Sequence, residues 1–270
     1  MKNYGYIPEP IVIDKDYIFG GYGSLGGDIL QPTGQWLAFV PQGESQRNFG
    51  FDPQGCVSWG TENAVEILLR RIYGQTDNFS DRFLAKVSET TTSGNSPQKV
   101  SEALRKKGVP YEAQWPITED INSWDEFYAD IPQPIQTMAL AFTAEFSFQH
   151  EYVGTSPAQL KESLKYSPLG VAVSAWEQDG PYYVSNFPNN HWCVLVGYKD
   201  NDYWIVYDSY PESEGDYIKH LAWNYDFSVA KRYKITQQVE KLSNSWWDFL
   251  LNLFKAAWGL AGRKLGLWNG

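Results

Sequence analysis

Cysteine is scarce in this chain of 270 residues, which contains only Cys56 and Cys193. Two cysteines cannot form the dense disulfide framework of a small secreted domain, so packing has to hold the fold together. The apolar fraction of 43%, with aromatic residues at 16%, is sufficient for a sizeable core. Each cysteine therefore requires its own explanation, structural or chemical.

Basic residues are also few, because 22 Lys and Arg stand against 32 Asp and Glu, which gives a net charge of -10. Such a field repels phosphate backbones and anionic lipid headgroups, so nucleic acid is not an expected partner. The N-terminus lacks the apolar run of a secretory signal. A cytoplasmic location is the default prediction, with a phage-encoded or membrane-associated protein as the open alternatives.

Metal and cofactor signals are absent or lack their structural context. No group of Cys and His residues has metal-ligand spacing, so we predict no metal. Gly21, Gly23 and Gly26 spell G-x-G-x-x-G, but Pro32 and Gly34 interrupt any helix after them. A dinucleotide site needs that helix, so we predict a loop and no cofactor.

Three helices are predicted, at residues 56–73, 96–108 and 156–166. An apolar stripe marks the first, and Gly74 is placed to end it. Ser96 is suited to cap the second, with Pro97 at its first position. Ser156 opens a capping-box pattern before the third.

Strand periodicity follows in the second half of the chain, at residues 170–175, 191–198 and 203–207. The polar residues 199–202 are suited to join the last two strands as a hairpin. Helices before about residue 125 and strands after it predict an α+β fold of two lobes. Residues 1–45 lack a sustained period and predict an extended N-terminal arm.

The C-terminal stretch from Trp246 to Leu260 is apolar almost all round. Its few polar positions recur at helical spacing, which predicts a helix with one narrow polar stripe. Packing against the body, self-association with a sister subunit and attachment to a membrane surface are the open functions of this helix. A true span is disfavoured because Asp248 and Lys255 would be costly in hydrocarbon.

Cys56 is the candidate nucleophile. It opens the first predicted helix, and a helix N-terminus lowers the pKa of a thiol. Among the three histidines, His191 begins a predicted strand, whereas His150 and His220 lie in more polar, less ordered surroundings. Asp208 follows the returning strand of the hairpin, so strand pairing would bring it beside His191.

These residues resemble the papain family of cysteine peptidases, particularly its compact bacterial and phage members. The resemblance covers about residues 46–235 and rests on the segments Cys-Val-Ser-Trp-Gly at 56–60, Asn-His-Trp-Cys-Val-Leu-Val-Gly-Tyr at 190–198 and Asp-Ser-Tyr at 208–210. It implies a papain-like fold, with a helical lobe at about 46–125, an antiparallel sheet lobe at about 126–236 and a cleft between them. Residues 237–270 then form a C-terminal tail.

The resemblance also implies a mechanism and its residues. Cys56 attacks a peptide carbonyl to form a thioester, His191 carries the proton, and Asp208 orients the imidazole. Gln46, together with the Cys56 backbone N–H, stabilises the oxyanion. The substrate-binding residues expected around the cleft are Gly94, Asn95, Asn190 and Trp192.

Three positions depart from the family pattern. Val57 rather than tryptophan follows the cysteine, and Asp208 replaces the asparagine of papain itself. The oxyanion glutamine usually lies six residues before the cysteine, where this chain has Gly50. Gln46 is preferred for that role, with Gln54 as the alternative.

The remaining choices are open. Cys193 shares a strand face with His191, which makes a redox switch with Cys56 conceivable. Because free cysteine is among the most buried residue types, a packed core role is favoured over that switch. Trp176 and Trp192 can line the cleft. The alternative functions are a bacteriocin-processing-like cysteine peptidase and a catalytically degenerate scaffold that binds peptides without cutting them; a cell-wall amidase would need an Asp-Cys-Ser-Gly start that this chain lacks.

Overall fold

The computed structural model describes residues 4–13, 15–43, 45–47, 51–213 and 215–238. Its six α-helices, numbered in chain order, are α1 (Cys56–Tyr73), α2 (Asp81–Val87), α3 (Pro97–Lys107), α4 (Trp124–Phe127), α5 (Gln133–Glu145) and α6 (Pro157–Leu164). Its eight strands are β1 (Phe146–Val153), β2 (Leu169–Val173), β3 (Glu177–Asp179), β4 (Tyr182–Val184), β5 (His191–Lys199), β6 (Tyr203–Tyr207), β7 (Ile218–Ala222) and β8 (Ala230–Gln237). These elements confirm the predicted α+β class.

The ends of the three predicted helices follow the capping signals in two cases out of three. Helix α1 ends at Gly74, whose φ of 69° is the left-handed conformation that glycine adopts without strain. Ser96 caps α3 by accepting a hydrogen bond from the backbone N–H of Lys99. The capping box predicted at Ser156 does not form at α6. The Ser156 hydroxyl donates to the Gln159 side chain and accepts no cap hydrogen bond from the helix backbone.

The sheet has the strand order β1-β8-β2-β5-β6-β7-β4-β3. Neighbouring strands from β8 to β7 are antiparallel, as is the β3–β4 hairpin, whereas β4 and β7 pair in parallel. Strand β2, which has a neighbour on each side, is buried on both faces, in agreement with its continuous apolar sequence. Among the strand pairs from β8 to β3, the predicted antiparallel arrangement is thus correct apart from the β4–β7 pair.

The helices pack against this sheet mainly through α1. Helix α1 contacts β5 and β2, as well as α2 and α3. Helix α5 was not predicted, and it packs against α3 and β1. The division near residue 125 stays a prediction, since α5 follows that position in the chain but contacts the helical part.

The N-terminal arm follows the surface of the body, and one short 3-10 helix, Leu37–Phe39, is the regular element among its described residues. Its anchors are Ile18, which forms a bridge with Tyr152, and the buried Trp36, whose indole N–H donates to the Leu164 carbonyl at 2.7 Å. The three glycines of the G-x-G-x-x-G pattern lie in turns and irregular chain, as predicted. The arm is therefore held by individual contacts rather than by a sheet of its own.

His150 departs from the expectation of polar, less ordered surroundings. It lies in β1, is 5% exposed, and its Nε2 is 3.0 Å from a carboxylate oxygen of Glu102. Burial, reinforced by the nearby Lys231, lowers the pKa of His150 to about 4. His220, in contrast, is exposed on β7.

The Trp246 to Leu260 stretch and the membrane or self-association function predicted for it lie outside the described residues. Within the described ranges, none of the helices combines the length and the apolar character that crossing a membrane requires. Residues up to Thr236 form one compact unit.

The two serine positions give a matched test of capping. Ser96→Ala removes the acceptor for the Lys99 N–H and should lower the free energy of unfolding by about 1 kcal/mol. Ser156→Ala, where no cap bond exists, should change it by less than about 0.5 kcal/mol. Chemical denaturation of both variants measures the difference, and equal losses would contradict the assignment.

Candidate active site

Cys56 is the first residue of α1, directly after Gly55 at the N-cap and Gln54 in a left-handed turn with φ of 57°. The side chain is fully buried. Burial raises the pKa of the Cys56 thiol well above its ordinary value, and the negative charges of Asp208 and Asp52 add to this effect. The backbone N–H of Trp192 donates toward the sulfur and acts in the opposite direction, so the thiol lies beside the residue that follows His191.

His191 and Asp208 meet because of the register of the β5–β6 hairpin. Val194 pairs with Tyr207, which places Asp208 opposite Cys193, and side chains two residues apart on a strand share a face. The Nε2 atom of His191 is 2.5 Å from Oδ1 of Asp208, and both side chains are buried. With Nε2–H donating to the carboxylate, Nδ1 is the nitrogen that remains for the thiol.

The imidazole of His191 is enclosed by aromatic rings. The ring centroids of Tyr4, Trp176 and Tyr210 lie 5.7, 5.6 and 5.2 Å from that of His191. Its Nδ1 atom has no hydrogen-bond partner among the residues that the structure describes. The rings thus exclude water from the imidazole and leave one nitrogen available.

Gln46 lies next to Ser209, just after the end of β6, and its side chain is buried. Its backbone N–H donates to the Ser209 carbonyl at 3.1 Å, and its side-chain oxygen accepts from the Ser209 hydroxyl at 2.7 Å. Its Nε2 donates to the Tyr210 hydroxyl at 2.5 Å and to Asp52 at 3.2 Å. Both amide hydrogens are therefore engaged, and binding an oxyanion would require Gln46 to release one of them.

The alternative, Gln54, has a side-chain oxygen that is buried without a hydrogen-bond partner among the described residues. Its backbone N–H donates to Asp52 at 3.0 Å, and its carbonyl faces Gly5. The assignment of an oxyanion role to Gln46 rather than Gln54 stays a prediction.

Gly94 and Asn95 form a wall on which the N-terminal segment lies. The backbone N–H of Asn95 donates to the Gly5 carbonyl, and the Ile7 N–H donates to the Asn95 carbonyl, both at 2.9 Å. These two bonds make Tyr6 and Asn95 a parallel bridge. A Cβ at Gly94 would lie 2.0 Å from the Gly5 oxygen, so only glycine permits this approach.

Asn190 binds the same segment, since its carbonyl accepts from the Tyr4 N–H at 3.2 Å. Trp192 is fully buried, with its ring stacked on Tyr6 at a centroid distance of 5.9 Å. Gly60 of α1 leaves space for that indole ring, because a Cβ there would lie 2.7 Å from it. Residues 4–7 therefore contact three of the four predicted substrate-binding positions through backbone bonds or ring stacking.

A cavity of about 500 Å³ opens beside this segment. Its lining residues are Tyr6, Pro8, Ser185, Asn186, Phe187, Pro188, Asn189, Asp226 and Ser228. The surface under the arm thus continues into a recess lined by the connection between β4 and β5.

Cys193 is buried on β5 as a free thiol, and burial raises its pKa well above the ordinary value. This agrees with the predicted packing role. In the described part of the chain, no cluster of three His, Cys, Asp or Glu side chains has the arrangement of a metal site.

Sequence reasoning missed two charged residues of the site. Lys219 of β7 lies 3.0 Å from Oδ2 of Asp208, and Asp52 binds both Gln46 and Tyr210. Hydrogen bonds from Tyr210, the Gln54 N–H and Arg47 outweigh burial and lower the pKa of Asp52. The alternation of Lys219 and Leu221 on one face of β7 is the only sequence signal that could have indicated a buried lysine.

Comparison with solved structures identifies the fold. Xylellain, a cysteine protease from Xylella fastidiosa, aligns with a TM-score of 0.61 and 17% identity over 87% of this chain and 96% of its own. Digestive procathepsin L 3 of the Tenebrio molitor larval midgut aligns with 0.56 and 16% over 86% and 76%. The clostridial cysteine protease Cwp84 aligns with 0.60 and 14% over 75% and 57%.

The chain therefore has the papain-like fold expected from its sequence. No protein-family model matches the sequence. No curated protein matches it either. At this level of identity the likeness concerns the fold alone.

Exposure of Cys56 should depend on the aromatic anchor of residues 4–7. Tyr6→Ala removes the stack on Trp192 and should accelerate alkylation of Cys56 by at least about tenfold, because 1.4 kcal/mol of lost contact energy is a factor of ten. Tyr22→Ala, on an exposed part of the arm, is the matched control and should not change the rate. Mass spectrometry of timed iodoacetamide reactions gives both rates, and a Tyr6→Ala rate equal to the control would show that the segment does not cover the thiol.

Proposed function

We propose that this protein is a cysteine peptidase that hydrolyses peptide bonds through a Cys56–His191–Asp208 triad. The observation that carries the proposal is the buried 2.5 Å contact between His191 and Asp208, with a thiol at a helix N-terminus beside the next residue of the same strand. The papain-like fold of the structural neighbours, two of which are named cysteine proteases, adds support.

In the proposed reaction, the Cys56 thiolate attacks the peptide carbonyl, and the C–N bond breaks as His191 donates a proton to the leaving amine. Water then attacks the thioester, with His191 accepting its proton, and the acid and the free thiol are released. Asp208 orients the imidazole throughout. The Cys56 N–H and Gln46 are the proposed oxyanion donors, the latter after it exchanges one of its present hydrogen bonds.

Residues 4–7 must leave the cleft before a substrate can enter. They occupy the backbone groups of Asn95 and Asn190 that would otherwise pair with an extended peptide, and Tyr4 covers the imidazole. Displacing the arm would also return water to Cys56 and remove part of the burial that raises its pKa. Under this proposal the arm holds the site in a latent state.

Peptide binding without cleavage, the scaffold alternative, is the second candidate. The full burial of Cys56 and the engaged amide of Gln46 are the observations that favour it. A bacteriocin-processing-like specificity and a membrane or self-association function of Trp246 to Leu260 stay proposals without structural support. Liposome flotation of the chain with and without residues 241–270 tests the membrane function.

Selective alkylation tests the proposed thiolate. Near pH 6, iodoacetamide should label Cys56 faster than Cys193 in the Tyr6→Ala background, and His191→Ala should abolish the difference because the imidazole no longer stabilises the thiolate. His220→Ala, at an exposed histidine, should retain it. Equal and slow labelling of both cysteines in every variant would favour the scaffold.

Hydrolysis of a fluorogenic peptide mixture tests the reaction itself. The chain with Tyr6→Ala should release fluorophore, and the additional change Cys56→Ala should reduce the rate to background because the nucleophile is gone. Cys193→Ala is the matched control and should leave the rate within about twofold, since Cys193 is a packed core residue. Binding of the peptides without turnover would contradict the peptidase proposal.

A further inference from the structure

We infer that Lys219 is a positioning residue of the proposed triad. Its ammonium group fixes the Asp208 carboxylate and compensates the negative charge of that carboxylate. The His191–Asp208 pair then resembles a neutral hydrogen-bonded pair. This inference rests on the proposed function for its catalytic meaning. The geometry on which it stands is the ion pair between Lys219 and Asp208 on the side of the carboxylate that faces away from His191.

The two oxygens of Asp208 have different partners. Oδ1 accepts from His191 at 2.5 Å and from the backbone N–H of Ser209 at 2.8 Å. Oδ2 lies 3.0 Å from the Nζ atom of Lys219. Each carboxylate oxygen therefore has its own partner, and rotation of the carboxylate would break its contacts with His191 and Lys219.

The ammonium group of Lys219 is itself fixed by its surroundings. It donates to the backbone carbonyl of Tyr210 and lies 5.3 Å from the ring centroid of Trp176. Its side chain is 2% exposed, so solvent does not screen the pair. Trp176 contacts Lys219 and His191 together, which links the ion pair to the imidazole.

The strand order places Lys219 at this point. Strand β7 pairs with β6 so that Lys219 is opposite Val206, and the Asp208 N–H donates to the Tyr217 carbonyl at 2.9 Å. The lysine thus reaches Asp208 from the neighbouring strand. A surface lysine in the same sheet could not make this contact without a different register.

A lone buried carboxylate would be costly and would hold a proton on the facing imidazole over a wide pH range. Lys219 offsets that charge. Burial raises the pKa of Asp208, but its contacts with His191 and Lys219 outweigh burial and lower the pKa, so the carboxylate stays ionised. The other titratable groups around the pair are Tyr4, Cys56, Cys193, Asp52, Tyr183, Tyr210 and Tyr225.

Four variants of the full chain separate charge compensation from simple packing. In Lys219→Met the uncompensated Asp208 should keep His191 protonated to a pH about one unit or more higher than in the wild type, as expected for a charge within 4–6 Å. Asp208→Asn leaves the lysine opposite a neutral amide and should shift the transition in the opposite direction. The double variant, with neither charge, should lie between the two single variants, and Lys219→Arg should match the wild type.

The readout is the imidazole resonances of His191 in a pH titration followed by NMR, assigned by comparison with His150→Gln and His220→Gln. An unchanged transition in Lys219→Met, or a double variant identical to Asp208→Asn, would overturn the inference and leave only a packing role. Circular dichroism checks that each variant is folded, and the isosteric double variant keeps the test informative if Lys219→Met alone does not fold.

Peptide hydrolysis, measured separately, distinguishes this result from failure of the proposed function. If the titrations shift as expected but the Tyr6→Ala chain cuts no peptide, the charge network stands and the peptidase proposal falls. If hydrolysis occurs and Lys219→Met leaves the titration and the pH profile of kcat/KM unchanged, the peptidase proposal stands and Lys219 has no positioning role.

Discussion

The register of one β-hairpin is the constraint on which the candidate site depends. Strands β5 and β6 pair so that the residue after β6 returns beside the start of β5, which is how Asp208 reaches His191. Because side chains alternate between the two faces of a strand, a slip of one residue would turn His191 away from the thiol side. Burial of both strands opposes such a slip, so core packing and site geometry are enforced by the same apolar contacts.

Local signals made much of this predictable. Helix α1 begins at Cys56 and ends at Gly74, as its periodicity and its glycine indicate, and the polar turn at residues 199–202 joins β5 to β6. The encounter of His191 with Asp208 followed from chain return alone. In each case the residues that determine the feature lie within about twenty positions of one another, and over that range periodicity, caps and turns specify the local structure.

Contacts between distant segments were not predictable in the same way. The pairing of Tyr6 with Asn95 and the ion pair of Lys219 with Asp208 depend on strand order and on the path of an irregular arm. Helix α5 lacks a clear polar face, and its amphipathic pattern is correspondingly weak. The burial of His150 followed from β1, a strand that sequence periodicity did not indicate. Tertiary packing, rather than local preference, decides all four.

Burial of the site determines which protonation state of the Cys56 thiol is favoured. The carboxylate of Asp208 is paired with Lys219 inside the protein, so it remains ionised without solvent. The thiol of Cys56 is fully buried, and this burial raises its pKa and favours the neutral thiol. Under the proposed function, movement of the arm would therefore admit the substrate and favour the thiolate in one step, because both depend on removing the same few residues from the wall at Asn95 and Asn190.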